Sequence, residues 1–564
     1  MTEFIEVRGA REHNLQDVSV RIPKRAITVF TGVSGSGKSS LVFDTIGAEA
    51  QRQLHDHFSL FVQRFLPEIS RPDVDAVEHL GFSVLVDQQP LGGGPRSTVG
   101  TATDISPLVR RLFAEVGRPT GAPRIDGYSL SDIEAMAVGD LVPVLRLLDG
   151  PVTSPLLGQL IDRLQRVAGI GLDYLSLDRP IDTLSGGEAQ RVKLVRALGG
   201  SLEDVIYLLD EPSVGLHPRD VHRLTELLVT LRDRGNTVLV VEHDPQVVRA
   251  ADHVVDLGPG AGVDGGRIVF EGSVPELELS GTRTGRYLDR ASAIKPTVRT
   301  PTGWLPIRDA RAHNLRGLDV DVPAGVLTVV TGVAGSGKSS LIEEAFLPQH
   351  PDAIVIDQSP LRGSSRSTPA THTGIAEALR VACARDGRDV DEALRLTVDQ
   401  ALEVFTGPEI EPQLRALADV GLGYLPLGQP LSSLSGGERQ RLKIAAELHR
   451  SGNLYVLDEP TTGLHAADTA HLIALLDRLV EAGNTVIVVE HDLEVVRAAD
   501  WVVDLGPEAG SRGGRLVFTG TPRDLLASPD SHTAAALRAT ESSEALPDPD
   551  ADVLAMLAFL RGDD

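Results

Sequence analysis

Three short, nearly unbroken apolar runs punctuate the first half of the chain: Ala26-Ile27-Thr28-Val29-Phe30, Val205-Ile206-Tyr207-Leu208-Leu209 and Thr237-Val238-Leu239-Val240-Val241. Runs of this length, rich in branched side chains, read as strands buried on both faces. Each stops at a polar break. The first meets a glycine-rich turn followed by a helical stretch over 38–46, the second stops at Asp210-Glu211, and the third at Glu242-His243. Between the second and third, residues 221–234 carry apolar positions at helical spacing. Strands alternating with helices predict a parallel sheet with helices on its faces. The pattern returns at 326–330, 454–457 and 485–489.

The repetition extends to the breaks. Arg8-Gly9-Ala10-Arg11-Glu12-His13-Asn14-Leu15 returns as Arg308-Asp309-Ala310-Arg311-Ala312-His313-Asn314-Leu315. The turn TGVSGSGKSSL beginning at Thr31 returns as TGVAGSGKSSL at Thr331, LSGGE at Leu184 returns at Leu434, and Asp210-Glu211-Pro212 returns as Asp458-Glu459-Pro460. A period this long is far above the ~20–50 residues of a solenoid repeat, so the chain reads as two tandem domains. The expected division is a first domain at 1–280 with a helical subdomain at about 90–200, a linker at 281–302, a second domain at 303–540 with a helical subdomain at about 360–450, and an acidic tail at 541–564. A short terminal helix is expected at 553–560.

Composition narrows the class. The 564 residues hold 54 Lys+Arg against 79 Asp+Glu, a formal charge of −25, which argues against a surface coated in basic residues but leaves room for a local basic groove. The single cysteine, Cys383, excludes a disulfide framework and any zinc module built on two or more cysteines. No apolar run approaches the ~18 residues that span a bilayer, and Met1-Thr2-Glu3-Phe4 lacks a signal-peptide pattern. A cytoplasmic location is the expectation.

The chemistry sits at the breaks. Gly32-Val33-Ser34-Gly35-Ser36-Gly37-Lys38-Ser39 fits G-x-x-x-x-G-K-[ST] between a strand and a helix, as does the stretch from Gly332 to Ser339 with Gly335, Ser336, Gly337 and Lys338. Glycines let successive N–H groups turn inward around phosphate oxygens, and the helix start favours the anion. Lys38 and Lys338 would reach the β/γ-phosphates, with Ser39 and Ser339 on magnesium and Ser40 and Ser340 beside them. A strand-end carboxylate such as Asp210 or Asp458 holds magnesium, while the next, Glu211 or Glu459, orients or deprotonates water.

Taken together, these segments resemble the ABC ATPase family. The resemblance implies an α/β fold of tandem ABC-type P-loop ATPase domains, each with a parallel-sheet core, an antiparallel β-subdomain and a small helical signature subdomain. It assigns Ser185-Gly186-Gly187 and Ser435-Gly436-Gly437 as signatures, His243 and His491 as γ-phosphate sensors, and Gln88 and Gln358 as the glutamines that touch magnesium and water. It also implies head-to-tail docking, with each phosphate loop facing the other half's signature. Both sites keep their lysine and acidic pair, so both are expected to hydrolyse ATP.

Finer detail is similar to UvrA, the DNA-damage-sensing ATPase of bacterial nucleotide excision repair. Glu188 and Glu438 stand where transport ATPases commonly carry glutamine, Gly215-Leu216-His217 and Gly463-Leu464-His465 follow the acidic pairs, and Val255-Asp256-Leu257-Gly258-Pro259 returns as Val503-Asp504-Leu505-Gly506-Pro507. The departures are in what is missing. Only 97 positions separate Gln88 from Ser185 and 77 separate Gln358 from Ser435, room for a helical subdomain and little more. The zinc modules and the UvrB-docking insertion of the family are not expected here, which calls UvrB-type docking into question. The implied activity is ATP hydrolysis with magnesium and no zinc, no intrinsic nuclease, and recognition of damaged or drug-bound duplex DNA in repair or antibiotic self-resistance, as a homodimer. Candidate DNA contacts are Arg96, Arg110, Arg111, Arg118 and Arg124 in the first half and Arg362, Arg366, Arg380, Arg385 and Arg388 in the second. The rival readings are a tandem ATPase acting on the ribosome, and a motor for a separate membrane partner.

Overall fold

The computed structural model describes residues 4–56, 70–87, 96–116, 124–125, 127–147, 154–184, 186–198, 203–288, 293–357, 367–431, 434, 436–447 and 453–543. The terminal helix expected at 553–560 lies outside the described residues.

The apolar runs become the centre of two matching six-stranded sheets. In the first half the strand order is Arg267–Gly272, His253–Gly258, Ile27–Gly32, Thr237–Val241, Ile206–Asp210, Ser83–Val86. The second half repeats it with Arg515–Gly520, Trp501–Gly506, Leu327–Gly332, Thr485–Val489, Leu454–Asp458 and Ile354–Ile356. All neighbours are parallel except the outermost pair at the Arg267–Gly272 or Arg515–Gly520 edge. The central strands Ile27–Gly32 and Leu327–Gly332 are buried at every position, as two-face coverage requires. Because the sheet is parallel, Gly32, Asp210 and Val241 finish at one edge, and the loops that follow them converge there.

Against each sheet lies an antiparallel layer. In the first half Val18–Pro23, Phe4–Ala10 and Ala76–Glu78 pair in that order; in the second, Gly303–Ala310 pairs with Leu318–Ala324. Alternation sends Val18, Val20 and Ile22 inward and their neighbours outward. A separate helical core, with Leu112, Leu141, Leu160, Leu164 and Leu172, joins helices Ser106–Val116, Val138–Arg146 and Ser154–Gly169 to helix Gly186–Leu198. The second half builds the same unit around helix Gly436–Glu447, with the free Cys383 buried inside it.

Two local features go beyond the sequence reading. The helix after each phosphate loop, Ser40–Gly47 and Ser340–Phe346, is π-wound rather than α; in the first, the Thr45 hydroxyl donates to the carbonyl of Ser40, five residues back, at 2.8 Å. The stretch expected as a linker contains a folded helix, Arg283–Leu288, with Thr284 and Leu288 buried. Beyond it, Lys295 and Arg299 grip the buried Asp500 at 2.9 Å each and share Asp477. Two cations on a 1% exposed carboxylate strap this segment to the second half. Among the described residues no helix is long and apolar enough to cross a membrane.

Candidate functional site

Each phosphate loop is built by backbone that side chains would block. Gly32 lies at φ +130°, and a Cβ there would meet the Leu257 carbonyl oxygen at 2.0 Å; Gly332 repeats this against Leu505. Asn14 Nδ2 donates to the carbonyls of Gly35 (2.9 Å) and Gly262 (3.1 Å), pinning the loop from outside, and Asn314 does the same to Gly335 and Gly510. Ser36 Oγ and Ser336 Oγ are buried without a hydrogen-bond partner. Lys38 Nζ donates to the carbonyls of Gly32 and Val33 at 2.9 Å, and Lys338 to those of Gly332 and Val333 at 3.0 Å. Burial pushes both ammonium groups down to about 8, with Glu211 and Glu459 the strongest opposing charges.

These shifts set a pH expectation. If phosphate binds the charged lysine as the sequence predicts, ATP affinity should be full below pH 8 and fall as pH rises through the free-state value, by up to ~10-fold per unit at each site. Titrating nucleotide binding from pH 6.5 to 9.5 checks this; a flat profile contradicts it.

The acidic pairs sit opposite. Asp210 and Asp458 are both raised by burial, reinforced by Asp87 in the first case and Glu459 in the second. A bound dication would relieve that repulsion. Glu211 and Glu459 each hold a left-handed backbone, φ +44°, a strained conformation for a side chain of this kind. The strain is held in place, since each N–H donates to the neighbouring strand end, Val241 or Val489, at 2.9 Å. His243 Nε2 lies 3.8 Å from Glu211 and His491 Nε2 lies 3.6 Å from Glu459. Burial drives both imidazoles well below their ordinary value, so they are neutral. Both ring nitrogens of His243 and Nδ1 of His491 are buried without a hydrogen-bond partner. Orphaned serine and histidine groups around a buried ammonium fit a polyphosphate, which would supply their missing partners.

The halves dock head to tail. Arg441 Nη2, on the second half's signature helix, donates to Ser34 Oγ of the first phosphate loop at 2.9 Å, and Asp468 accepts from the Ser34 N–H at 3.4 Å. Tyr424 covers Gly35, where a Cβ would stand 3.0 Å from its ring, and Tyr174 covers Gly335, where a Cβ would stand 2.8 Å from its ring and clash. The tyrosine hydroxyls donate to Glu438 (2.5 Å) and Glu188. A cavity of about 2240 Å³ opens between the halves, lined by His13, Lys38, Asp210, Glu211, Tyr424 and Glu438. Ser39 is exposed toward it and Ser40 lies beside it; Ser339 and Ser340 occupy the same places after the second phosphate loop.

Other expected residues fall differently. Gly187 and Gly437 are small because a Cβ would meet the carbonyl of Val214 or Thr462 at 2.8 Å, so they let the signature helix pack onto the loop after the acidic pair of its own half. Gly186 and Gly436 begin those helices. Ser185, Ser435, Gln88 and Gln358 lie outside the described residues. Their neighbours Asp87 and Asp357 are held by signature-helix lysines, Lys193 at 2.6 Å and Lys443 at 2.8 Å. Arg96 is exposed in a turn. Arg110 is 3.6 Å from Glu134, Arg111 is 2.8 Å from Glu115, and Arg380 and Arg385 pair with Glu377 and Asp386. The Arg388 backbone N–H donates to the Cys383 carbonyl at 2.9 Å. Arg118, Arg362, Arg366 and the Arg124 side chain lie outside the described residues. Of the described candidates, Arg110, Arg111, Arg380 and Arg385 are thus paired with carboxylates.

Sequence reasoning passed over Asn14, Asn314, Tyr174, Tyr424, Lys193 and Lys443. The asparagines and tyrosines were signalled by repetition, since His-Asn-Leu recurs with the phosphate loop, and Gly171-Leu172-Asp173-Tyr174-Leu175 returns as Gly421-Leu422-Gly423-Tyr424-Leu425.

Comparison with known proteins agrees with this geometry. The family model described as ABC transporter matches residues 315–462. A UvrABC system protein A of Pseudomonas putida is 42% identical over 480 residues, covering 68% of this chain and 51% of that protein. The protein of that name from Streptomyces avermitilis is 38% identical across 95% of this chain and 93% of its own length, in an alignment of 941 residues. That alignment is much longer than this chain, so long segments of the relative face gaps. The chain spans about half the length of most of the curated relatives it matches. The crystal structure of UvrA2 from Deinococcus radiodurans superposes with a TM-score of 0.88 at 30% identity, covering 95% of this chain and 99% of that one. With its two phosphate loops, two acidic strand ends and reciprocal docking, this chain is an ABC ATPase and belongs to the UvrABC system protein A family.

Proposed function

We propose that the protein binds one ATP at each of two composite sites and uses its hydrolysis to control binding to duplex DNA, damaged or drug-bound. The observation that carries this is the near-complete superposition on UvrA2, together with two sites that both retain their lysine, acidic pair and histidine. In each site the loop N–H groups and Lys38 or Lys338 cradle the phosphates, and Ser36 and Ser336 complete that cradle. Ser39 with Asp210 and Gln88, and Ser339 with Asp458 and Gln358, would hold magnesium, whose charge offsets that of the phosphates. Glu211 and Glu459 take the proton of the attacking water, and neutral His243 and His491 stand beside it to donate to the outer phosphate. The partner half closes the site through its signature, so nucleotide state governs how the halves dock. The division at about 281–302 then joins two units that move against each other.

The test is steady-state ATP hydrolysis with and without duplex DNA, plain or loaded with an intercalator, at two salt concentrations. Rates that respond to DNA, more strongly at low salt and more to the loaded duplex, support the reading. Hydrolysis indifferent to every DNA overturns its DNA half and favours a ribosomal or membrane partner. Charge reversal at Arg96 and Arg366 together should weaken DNA binding and flatten its salt slope by roughly one unit per lost phosphate contact. Unchanged binding places the contact elsewhere.

A further inference from the structure

The loop after each acidic pair carries a histidine across to the other half. His465, from the second half, stands edge-on to His243 of the first, ring centroids 5.7 Å apart and planes at 88°. His217, from the first half, stands the same way against His491, 6.2 Å apart at 83°. Both crossing rings are buried, at 3% and 0% exposure.

Each is anchored by a hydroxyl and a carboxylate. His465 Nε2 is 3.2 Å from Thr284 Oγ1, which donates to Asp256 at 2.9 Å. His217 Nε2 is 3.2 Å from Thr533 Oγ1, which donates to Asp504 at 3.2 Å. A hydroxyl has one proton, and each threonine commits it to the carboxylate, so the histidine must be the donor. For His217 a second contact agrees, since its Nδ1 accepts the Arg219 N–H at 3.2 Å, leaving the proton on Nε2. Burial lowers His465 to about 4 and His217 to about 3, so both stay neutral with that tautomer intact.

The anchors lie in helices that follow the cores. Thr284 is on Arg283–Leu288, between the halves, and Thr533 is on His532–Ser543, after the second half. All four anchoring groups, Thr284, Asp256, Thr533 and Asp504, are at most 4% exposed. The chain histidine–threonine–carboxylate is therefore complete only when the halves are docked.

We propose that His465 and His217 are positioning residues supplied in trans, each bracing the facing histidine of the opposite half and tying that brace, through Thr284–Asp256 or Thr533–Asp504, to the helix that follows the core. This rests on the reading of His243 and His491 as groups that face the outer phosphate. Docking of the halves then sets the orientation of the imidazole beside Glu211 or Glu459, and movement of either helix is felt at the site.

The test compares the full chain carrying Thr284→Val/Thr533→Val with Thr284→Ser/Thr533→Ser, since valine keeps the shape and removes the hydroxyl. The valine pair should lower kcat about tenfold with KM for ATP within about twofold, and the serine pair should restore it. In a His243→Ala/His491→Ala background the valine pair should cause no further loss, because both changes act through one ring. An unchanged kcat in the valine pair, or a further tenfold loss in the alanine background, overturns the proposal. Full activity of the alanine pair alone overturns the reading beneath it. Should the valine pair fail to fold, His465→Asn/His217→Asn carries the same expectation, and wild-type kcat there overturns the proposal.

Discussion

Glu211→Gln together with Glu459→Gln should lower ATP turnover by at least ~10²-fold while nucleotide binding stays within a few-fold of the native protein, the span expected for loss of a general base. The exchange removes the proton acceptor and keeps the shape. Each glutamate sits in a left-handed backbone held by a strand-end carbonyl, and its carboxylate faces a neutral histidine from under 4 Å. Its other neighbour comes from the opposite half, since Glu459 lies against Gly215 and Glu211 against Gly463. The variant should therefore trap docked, nucleotide-loaded protein. Rapid mixing with ATP, followed by separation of bound nucleotide, distinguishes bound ATP from bound ADP. Turnover at the native rate would remove both glutamates from the chemistry.

Gly32→Ala should abolish nucleotide binding at the first site and cut the bound stoichiometry from two to one. The added Cβ would stand 2.0 Å from the Leu257 carbonyl oxygen, an atom fixed in the sheet by the pairing of His253–Gly258 with Ile27–Gly32. Neither backbone can retreat without breaking that pairing, and φ +130° is itself closed to alanine. The cost is expected to exceed ~3 kcal/mol, in the range of severe backbone incompatibility. Equilibrium dialysis with labelled ATP and a thermal melt read the two effects. Two nucleotides bound with an unshifted melt would show that the loop can rebuild itself.

Much of this was legible in the residues. The buried strands were visible because a two-face-covered strand must be apolar throughout, and their polar ends marked the active edge because a parallel sheet finishes its strands on one side. The phosphate loop was visible because its glycines, lysine and serine are neighbours in the chain, and the local turn brings them together whatever the rest does. The helix Arg283–Leu288 was not legible, since six residues centred on Gly285 carry no long periodic pattern and its burial comes from tertiary packing, Leu288 in the first half's core and Thr284 against His465 of the second half. A surface for the proposed duplex was not legible either; exposed arginines look alike in sequence, and only the structure pairs Arg110 and Arg111 with Glu134 and Glu115.

The sequence by itself determined two phosphate-loop motifs, their order, and the elements that carry them, because each depends on residues close together along the chain. Tertiary structure alone decided the partners. Ser34 meets Arg441 across 407 residues, Gly35 meets Tyr424, and His243 meets His465, none of which spacing could assign. In a duplicated chain each loop has two equivalent candidates, its own copy and the other. What selects the other is the docking of two whole surfaces, a property of packed shape and burial that no local segment encodes.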